Sequence, residues 1–177
     1  MSNLTDFFPS GGGGGLTPKF EEFNSSGTFT PSQALIDAGG YIEVFLVGGG
    51  SYRDETAGGG EVLIKKMYLT SISACSVTLG AGGQSNNTPG GSSSFNSSSA
   101  GGQNITAIGG TTSGQNNTVS PSWGARQYQS AGNGIFGYGA GGSWIGYGGA
   151  RTAKANTGQG SSYSAGGSGY CLIKWYE

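Results

Sequence analysis

The chain has no histidine, and only 10% of its 177 residues are charged. It has two cysteines and five prolines. No apolar run approaches the ~18 continuous residues that a membrane-crossing helix needs. Each absence closes off a chemistry. Without histidine, neither a Cys/His nucleophile pair nor a Ser-His-Asp triad can be assembled. Two cysteines alone do not supply the usual zinc ligand sets. There is no carboxylate between Glu61 and Glu177, and no charged residue of either sign between Lys66 and Arg126. Paired-carboxylate hydrolysis would therefore have to sit in the first third of the chain. The adjacent Asp54 and Glu55 read there as a solvated loop pair. No Gly-Lys-Ser/Thr phosphate loop occurs. Gly132-Asn-Gly-Ile-Phe-Gly137 fits the dinucleotide spacing, but a chain with 39 glycines produces such matches by chance. The expectation is a protein that is not an enzyme and needs no cofactor or metal.

The charges that exist are segregated. Residues 1–61 hold eight carboxylates against Lys19 and Arg53, while residues 62–177 hold six cations against Glu177. The cations are sparse and scattered, which is not a nucleic-acid footprint. Membrane insertion is likewise not expected. The opening Met1-Ser-Asn-Leu-Thr-Asp-Phe-Phe-Pro9 has no basic start and no long apolar stretch, so it does not read as a secretory signal. Cys75 and Cys171 sit in strand-like words and read as buried free thiols, although two positions alone do not decide against a disulfide.

What the chain does have is glycine, 39 residues of it, together with 9 Tyr, 8 Phe and 3 Trp. Disorder usually goes with few aromatics and high net charge, and here the net charge is −1. The glycines come in bursts between apolar words: Gly48–Gly50, Gly58–Gly60, Gly80-Ala-Gly-Gly83, Gly109-Gly110, Gly139-Ala-Gly-Gly142, Gly166-Gly167. Lacking Cβ, such segments let backbones approach closely. Polyproline II geometry turns their amides and carbonyls outward, so packed neighbours can bond sideways and satisfy them.

Strand signals lie at Tyr41–Val47, Glu61–Leu69, Cys75–Leu79 and Tyr170–Tyr176, rich in β-branched and aromatic residues or alternating with period two. Lys19–Phe23 and Gly27–Thr30 are candidate edge strands. Ser32–Ala38 is a candidate helical turn or two closed by Gly39. The fold expected is all-β: a small β-sandwich-like framework with a long glycine-rich excursion, partly polyglycine or polyproline II-like. Residues 1–18 read as an N-terminal docking peptide and glycine tether. Residues 19–177 read as one glycine-rich β domain, with strands over 19–79, glycine-rich loops over 80–168 and a closing strand at 169–177. The middle is expected to hold no strand. Its glycines, Gly101, Gly102, Gly109, Gly110, Gly141 and Gly142 among them, are expected to be extended and largely buried.

The order of words carries a resemblance. Phe29-Thr-Pro31 is followed by Val44-Phe-Leu-Val-Gly-Gly-Gly50, Gly58-Gly-Gly-Glu-Val62, Val77-Thr-Leu-Gly-Ala-Gly-Gly83 and finally Gly169-Tyr-Cys-Leu-Ile-Lys-Trp175. Over residues 27–175 this resembles the glycine-rich domain of bacteriophage tail-fibre and adhesin proteins. Leu4-Thr-Asp-Phe-Phe-Pro9 resembles the start of phage tail proteins that carry it. The resemblance implies polyglycine II packing, with receptor contacts on the loops between glycine segments. The runs here are short and interrupted by Ser and Asn, which argues against a large regular lattice.

The functional expectation is a virion tail-fibre or tail-tip protein, made in the host cytoplasm and located at the distal tail. It would be a host-receptor-binding adhesin or, alternatively, a purely structural fibre adaptor, cap or capsid decoration. Tyr, Trp, Arg and Asn displayed on rigidly held loops suit sugar stacking and polar recognition. Receptor-binding candidates are Tyr52, Arg53, Asp54, Arg126, Tyr128, Tyr138, Trp144 and Tyr147. Tyr52, Arg53 and Tyr128 are the ones expected to be exposed. Leu4, Phe7 and Phe8 are virion-docking candidates. The partners expected are other tail, baseplate or fibre proteins through the N-terminus, and a host surface glycan or outer-membrane protein. A homo-oligomer is compatible with these contacts.

Overall fold

Alternation of apolar and polar residues decides the framework. In Tyr41–Val47 every second residue (Ile42, Val44, Leu46) is fully buried, while Tyr41, Glu43 and Phe45 face outward. The computed structural model describes residues 15–53, 57–112, 153, 156, 158, 160, 161 and 164–177. In chain order its elements are β1 (Pro18–Phe23), β2 (Gly27–Phe29), α1 (Gln33–Asp37), β3 (Tyr41–Val47), β4 (Val62–Tyr68), β5 (Cys75–Thr78), β6 (Ser93–Asn96), β7 (Asn104–Ala107) and β8 (Tyr170–Tyr176). They form two four-stranded antiparallel sheets, ordered β1-β8-β3-β4 and β2-β5-β6-β7. The long-range return of β8 places it between β1 and β3, in the middle of its sheet.

The sheets enclose one apolar core. Ile42, Val44, Leu46, Met67, Cys171 and Ile173 from one sheet meet Phe29, Cys75, Val77, Phe95, Ile105 and Ala107 from the other. Phe29 is its aromatic centre, with ring centroids 6.4 Å from Phe95 and 5.3 Å from Trp175 in an edge-on arrangement. The expected edge strands are both present, β1 on one sheet and β2 on the other. The helical turn forms as well. Ser32 caps it through its hydroxyl, which accepts from the Leu35 amide at 3.0 Å, and Gly39 follows at φ +101°. Cys75 and Cys171 are free and buried. Among the described residues no helix is long and apolar enough to cross a membrane.

The middle of the chain departs from expectation. It contains two strands, β6 and β7, which were to be glycine-rich loop. Each is only four residues long, and its outward positions are Ser, Asn or Thr, so the period was too short to stand out. Inward, Phe95, Ile105 and Ala107 complete the core. Gly101 and Gly102 also differ: Gly101 is exposed at φ +82° and ends a 3-10 turn at Ser98–Ala100, with Gly102 half-buried behind it. Gly109 and Gly110 are buried as expected, and Gly141 and Gly142 lie outside the described residues. At the start of the domain, Thr17 exchanges backbone bonds with Glu177 and Pro18 opens β1, so both belong to the sheet.

Above the sandwich the glycine segments form an ordered bundle. Residues 48–52 run along its axis, directly continuing β3. Six described segments surround them and each bonds to the axis. The Ser51 amide donates to the Gly58 carbonyl at 3.0 Å, the Gly49 amide to Gly91 at 2.8 Å and the Gly50 amide to Gly167 at 2.8 Å. In the other direction, the Gly110 amide donates to the Gly49 carbonyl at 2.7 Å, Gly83 to Gly50 at 2.8 Å and Ser161 to Ser51 at 2.9 Å. The surrounding segments also bond to one another in a closed ring, through Gly58 to Thr111, Gly90 to Gly110, Gly91 to Ala81, Gly166 to Gly83, Gly158 to Ser168 and Gly60 to Gly158. Among the described residues this is the hydrogen-bond pattern of hexagonal polyglycine II packing, with one central and six peripheral segments. The interrupting Ser residues do not prevent it, because each glycine is needed only where a carbonyl of the next chain lies against its Cα. A Cβ on Gly90, for example, would lie 2.0 Å from the Gly49 carbonyl oxygen. The expectation against a large regular lattice is corrected to this extent. Within it the backbone groups find partners without either helix or sheet.

Candidate functional site

The chain direction gives the bundle two different ends. Segments 48–53, 80–83 and 108–112 leave the sandwich from β3, β5 and β7, and segments 57–61, 88–91 and 166–169 return to β4, β6 and β8. Segment 158–161 runs parallel to 48–53, since Tyr52 bridges to Ser161 in parallel and to Thr88 in antiparallel fashion. All the described outgoing segments therefore end at the same face, remote from the sandwich. That face is the candidate site.

Its described rim is made of polar turn residues. Gln84-Ser-Asn-Asn-Thr88 forms a tight turn in which the Thr88 amide donates to the Ser85 carbonyl at 3.1 Å. The Ser85 and Thr88 hydroxyls lie 2.7 Å apart, and Asn87 takes φ +64°, a conformation asparagine tolerates better than most residues. Beside it, the Ser164 amide donates to the Ser161 hydroxyl at 3.1 Å. The Arg53 guanidinium donates to the Thr112 carbonyl, tying the first outgoing segment to the third. The Arg53 amide donates to the Ser161 carbonyl at 3.1 Å. An open groove of about 380 Å³ runs down the flank between segments 80–83 and 166–169, lined by Ala81, Gly82, Gln84, Ala153 and Ser164–Ser168.

Of the predicted recognition residues, Tyr52 and Arg53 stand side by side at this rim. Both are half-buried rather than exposed, because their backbones belong to the bundle and the Arg53 side chain caps a neighbouring carbonyl. Asp54, Arg126, Tyr128, Tyr138, Trp144 and Tyr147 lie outside the described residues, as do Leu4, Phe7 and Phe8. The reading of the sequence missed the Gln84–Thr88 turn and the Ser161–Ser164 corner. A signal was present at the first: a Ser-Asn-Asn-Thr-Pro cluster between two glycine bursts is turn composition.

Among the described residues no group of three His, Cys, Asp or Glu side chains could hold a metal ion. The groups with displaced pKa values sit in the sandwich. Burial pushes the Cys75 thiol up to about 11. Burial, reinforced by Glu21, pushes Cys171 up to about 12. Tyr170 is raised by burial and by its 2.7 Å bond to the Glu22 carboxylate. The described rim offers hydroxyls, side-chain amides and the Arg53 guanidinium, groups that can donate and accept hydrogen bonds. Comparison with family models, with characterised proteins and with solved structures found no match to the chain.

Proposed function

We propose that this chain is a phage virion protein of the tail fibre or tail tip, an adhesin that recognises a host-surface glycan or outer-membrane protein through the loop face of its glycine bundle. The observation that supports this most is the polarity of the molecule. Every described outgoing glycine segment ends at one face, while Thr17 and Pro18 enter β1 at the opposite end of the sandwich, beside Glu177. An attachment end and a recognition end are thus separated by a rigid, hydrogen-bonded shaft. The N-terminal Leu4, Phe7 and Phe8 connect the protein to the particle, and the loops bind without catalysis. The resemblance to glycine-rich tail-fibre domains supports the same reading. The chain is made in the host cytoplasm and ends at the distal tail.

The test is adsorption. Replacing Tyr52, Arg53, Arg126 and Tyr128 together with alanine removes stacking and hydrogen-bonding groups that can each be worth ~2 kcal/mol at an interface. Particles carrying the variant should adsorb to host cells roughly tenfold or more slowly, with the variant still folded at the assay temperature although the lost Arg53–Thr112 bond lowers its melting temperature. Unchanged adsorption, with the variant present on the particle, would sink the adhesin reading and favour a structural adaptor or cap.

A further inference from the structure

A sandwich of two open sheets has four edge strands, and an edge presents backbone N–H and C=O groups that a strand of another chain can bond to. In the β2-β5-β6-β7 sheet both edges are short, three residues in β2 and four in β7. In the β1-β8-β3-β4 sheet they are long, six residues in β1 and seven in β4. The long edges differ in what they carry toward the core. Register runs one row across this sheet, Glu21, Ile173, Val44 and Lys65. The row faces inward, since Ile173 and Val44 are both fully buried. Each end of it is thus a charged side chain at a position where strand alternation places an apolar one. The same-face neighbours keep to the rule: Phe23 on β1 and Met67 on β4 belong to the core, and Leu63 packs against it. Lys65 is exposed and Glu21 half-buried. Glu21 lies near enough to the buried Cys171 to help raise its thiol pKa. Among the described residues neither side chain has an ion pair or hydrogen bond, for Lys19 takes Glu177 and Lys66 takes Glu43.

We infer that Glu21 and Lys65 are edge guards: each holds a charge at the rim of the core so that β1 and β4 are not extended by a strand from another copy of the chain. A strand added beside β4 would continue the row and close over Lys65 between the two sheets. Taking an ammonium or carboxylate out of water costs heavily unless a partner meets it there. Unpaired at the edge, a lysine reaches water along its apolar stem even from an inward position. Two copies meeting β4 to β4, or β1 to β1, in the register centred on this row would also set like charges opposite each other. The sheet with short edges needs no such device, because three or four residues offer a poor template. The sheet with long edges needs it most. Its central strands, Tyr41–Val47 and Tyr170–Tyr176, carry a single charge each among β-branched and aromatic residues. Charged β1 and β4 stand outside them.

Sedimentation of the full chain tests this without host or particle, so its failure leaves the adsorption result standing. The variants are Lys65→Val and Glu21→Val, one at each edge. Valine suits a strand better than either charged residue, so the melting temperature should hold or rise. Self-association should nevertheless strengthen roughly tenfold or more over wild type. Amide exchange in the altered edge strand should slow as association sets in. Lys65→Glu keeps a charge at the rim and should associate no more than wild type. Lys66→Val adds the same apolar side chain to the outward face of β4 and should leave edge exchange unchanged. Association of both inward valine variants no stronger than that of wild type would overturn the inference. Equal association by Lys66→Val would overturn it in favour of surface hydrophobicity. Wild-type association that Lys65→Glu abolishes would overturn it in favour of head-to-tail pairing between Lys65 and Glu21 of successive copies.

Discussion

Gly60 packs so closely on Gly48 that a Cβ added to Gly60 would lie 2.0 Å from the Gly48 carbonyl oxygen. Neither residue has a positive φ, so glycine is required there for space rather than for conformation. Gly60→Ala should therefore destabilise by about 3 kcal/mol or more, at or above the upper end of ordinary overpacking, because a backbone chain must move. At this chain length the melting temperature should fall by roughly 6 °C or more. Gly27→Ala is the control, since its Cβ would meet Phe23 ring atoms at 3.2 Å and backbone no nearer than the Ser25 carbonyl at 4.0 Å. Equal melting temperatures for both variants would contradict the packing argument.

Ser93 joins the sandwich to the bundle. Its hydroxyl accepts from the Gly80 amide at 2.9 Å and donates to the Val47 carbonyl at 2.6 Å, with the residue fully buried. Ser93→Ala leaves both backbone groups without that partner, at a cost of about 2–3 kcal/mol. Urea denaturation should show the loss. Hydrogen exchange at Gly80 should accelerate more than exchange in the middle of β5.

The two thiols should be chemically silent in the folded protein. With the Cys75 pKa at about 11, roughly one thiol in a thousand is ionised at pH 8, and thiolate is the reactive form. Iodoacetamide at pH 8 should label neither cysteine in buffer and both in denaturant. Rapid labelling of Cys75 under native conditions would show that the seam between the sheets opens.

Glu177 gives a pH signature. Hydrogen bonds from the Ser32 hydroxyl and the Trp175 indole, with Lys19 3.6 Å away, hold its carboxyl below the usual range. Its contribution is present above the unfolded carboxylate pKa of about 4.3. It is lost as pH falls through the lower folded value. Burial raises Glu21, which acts in the opposite sense, favouring folding below its unfolded pKa and losing that as pH rises. Comparing wild type with Glu177→Gln isolates the first effect. The variant should melt lower at pH 7, and the difference should narrow as pH falls below the unfolded carboxylate pKa of about 4.3. A gap that does not narrow on acidification would assign it to lost shape rather than lost charge.

Legibility followed the length of the pattern. β3 and β8 announce themselves because seven residues of alternating or apolar character have few other uses. β6 and β7 were missed because four residues such as Ser-Ser-Phe-Asn look like any stretch of polar loop. Their identity as strands comes from β5, which offers Val77 opposite Phe95. Similarly, Tyr52 and Arg53 were found because aromatic and cationic residues between glycine bursts stand out. Their half-burial was not visible, since it depends on Thr88, Thr112 and Ser161, 36 or more positions away in the chain.

The sequence by itself determined the class of object. Its missing histidines and carboxylates, its aromatic words and its glycine bursts are local facts, and they dictate strands joined by backbone-rich segments. Only the tertiary structure decided that the bursts form a closed hexagon around Gly48–Tyr52, and which glycines are irreplaceable within it. The physical reason is that polyglycine chains have no side chains through which to specify a neighbour. Each amide can bond to any carbonyl at the right height. The register is imposed from below, by the sandwich strands that fix where each segment starts.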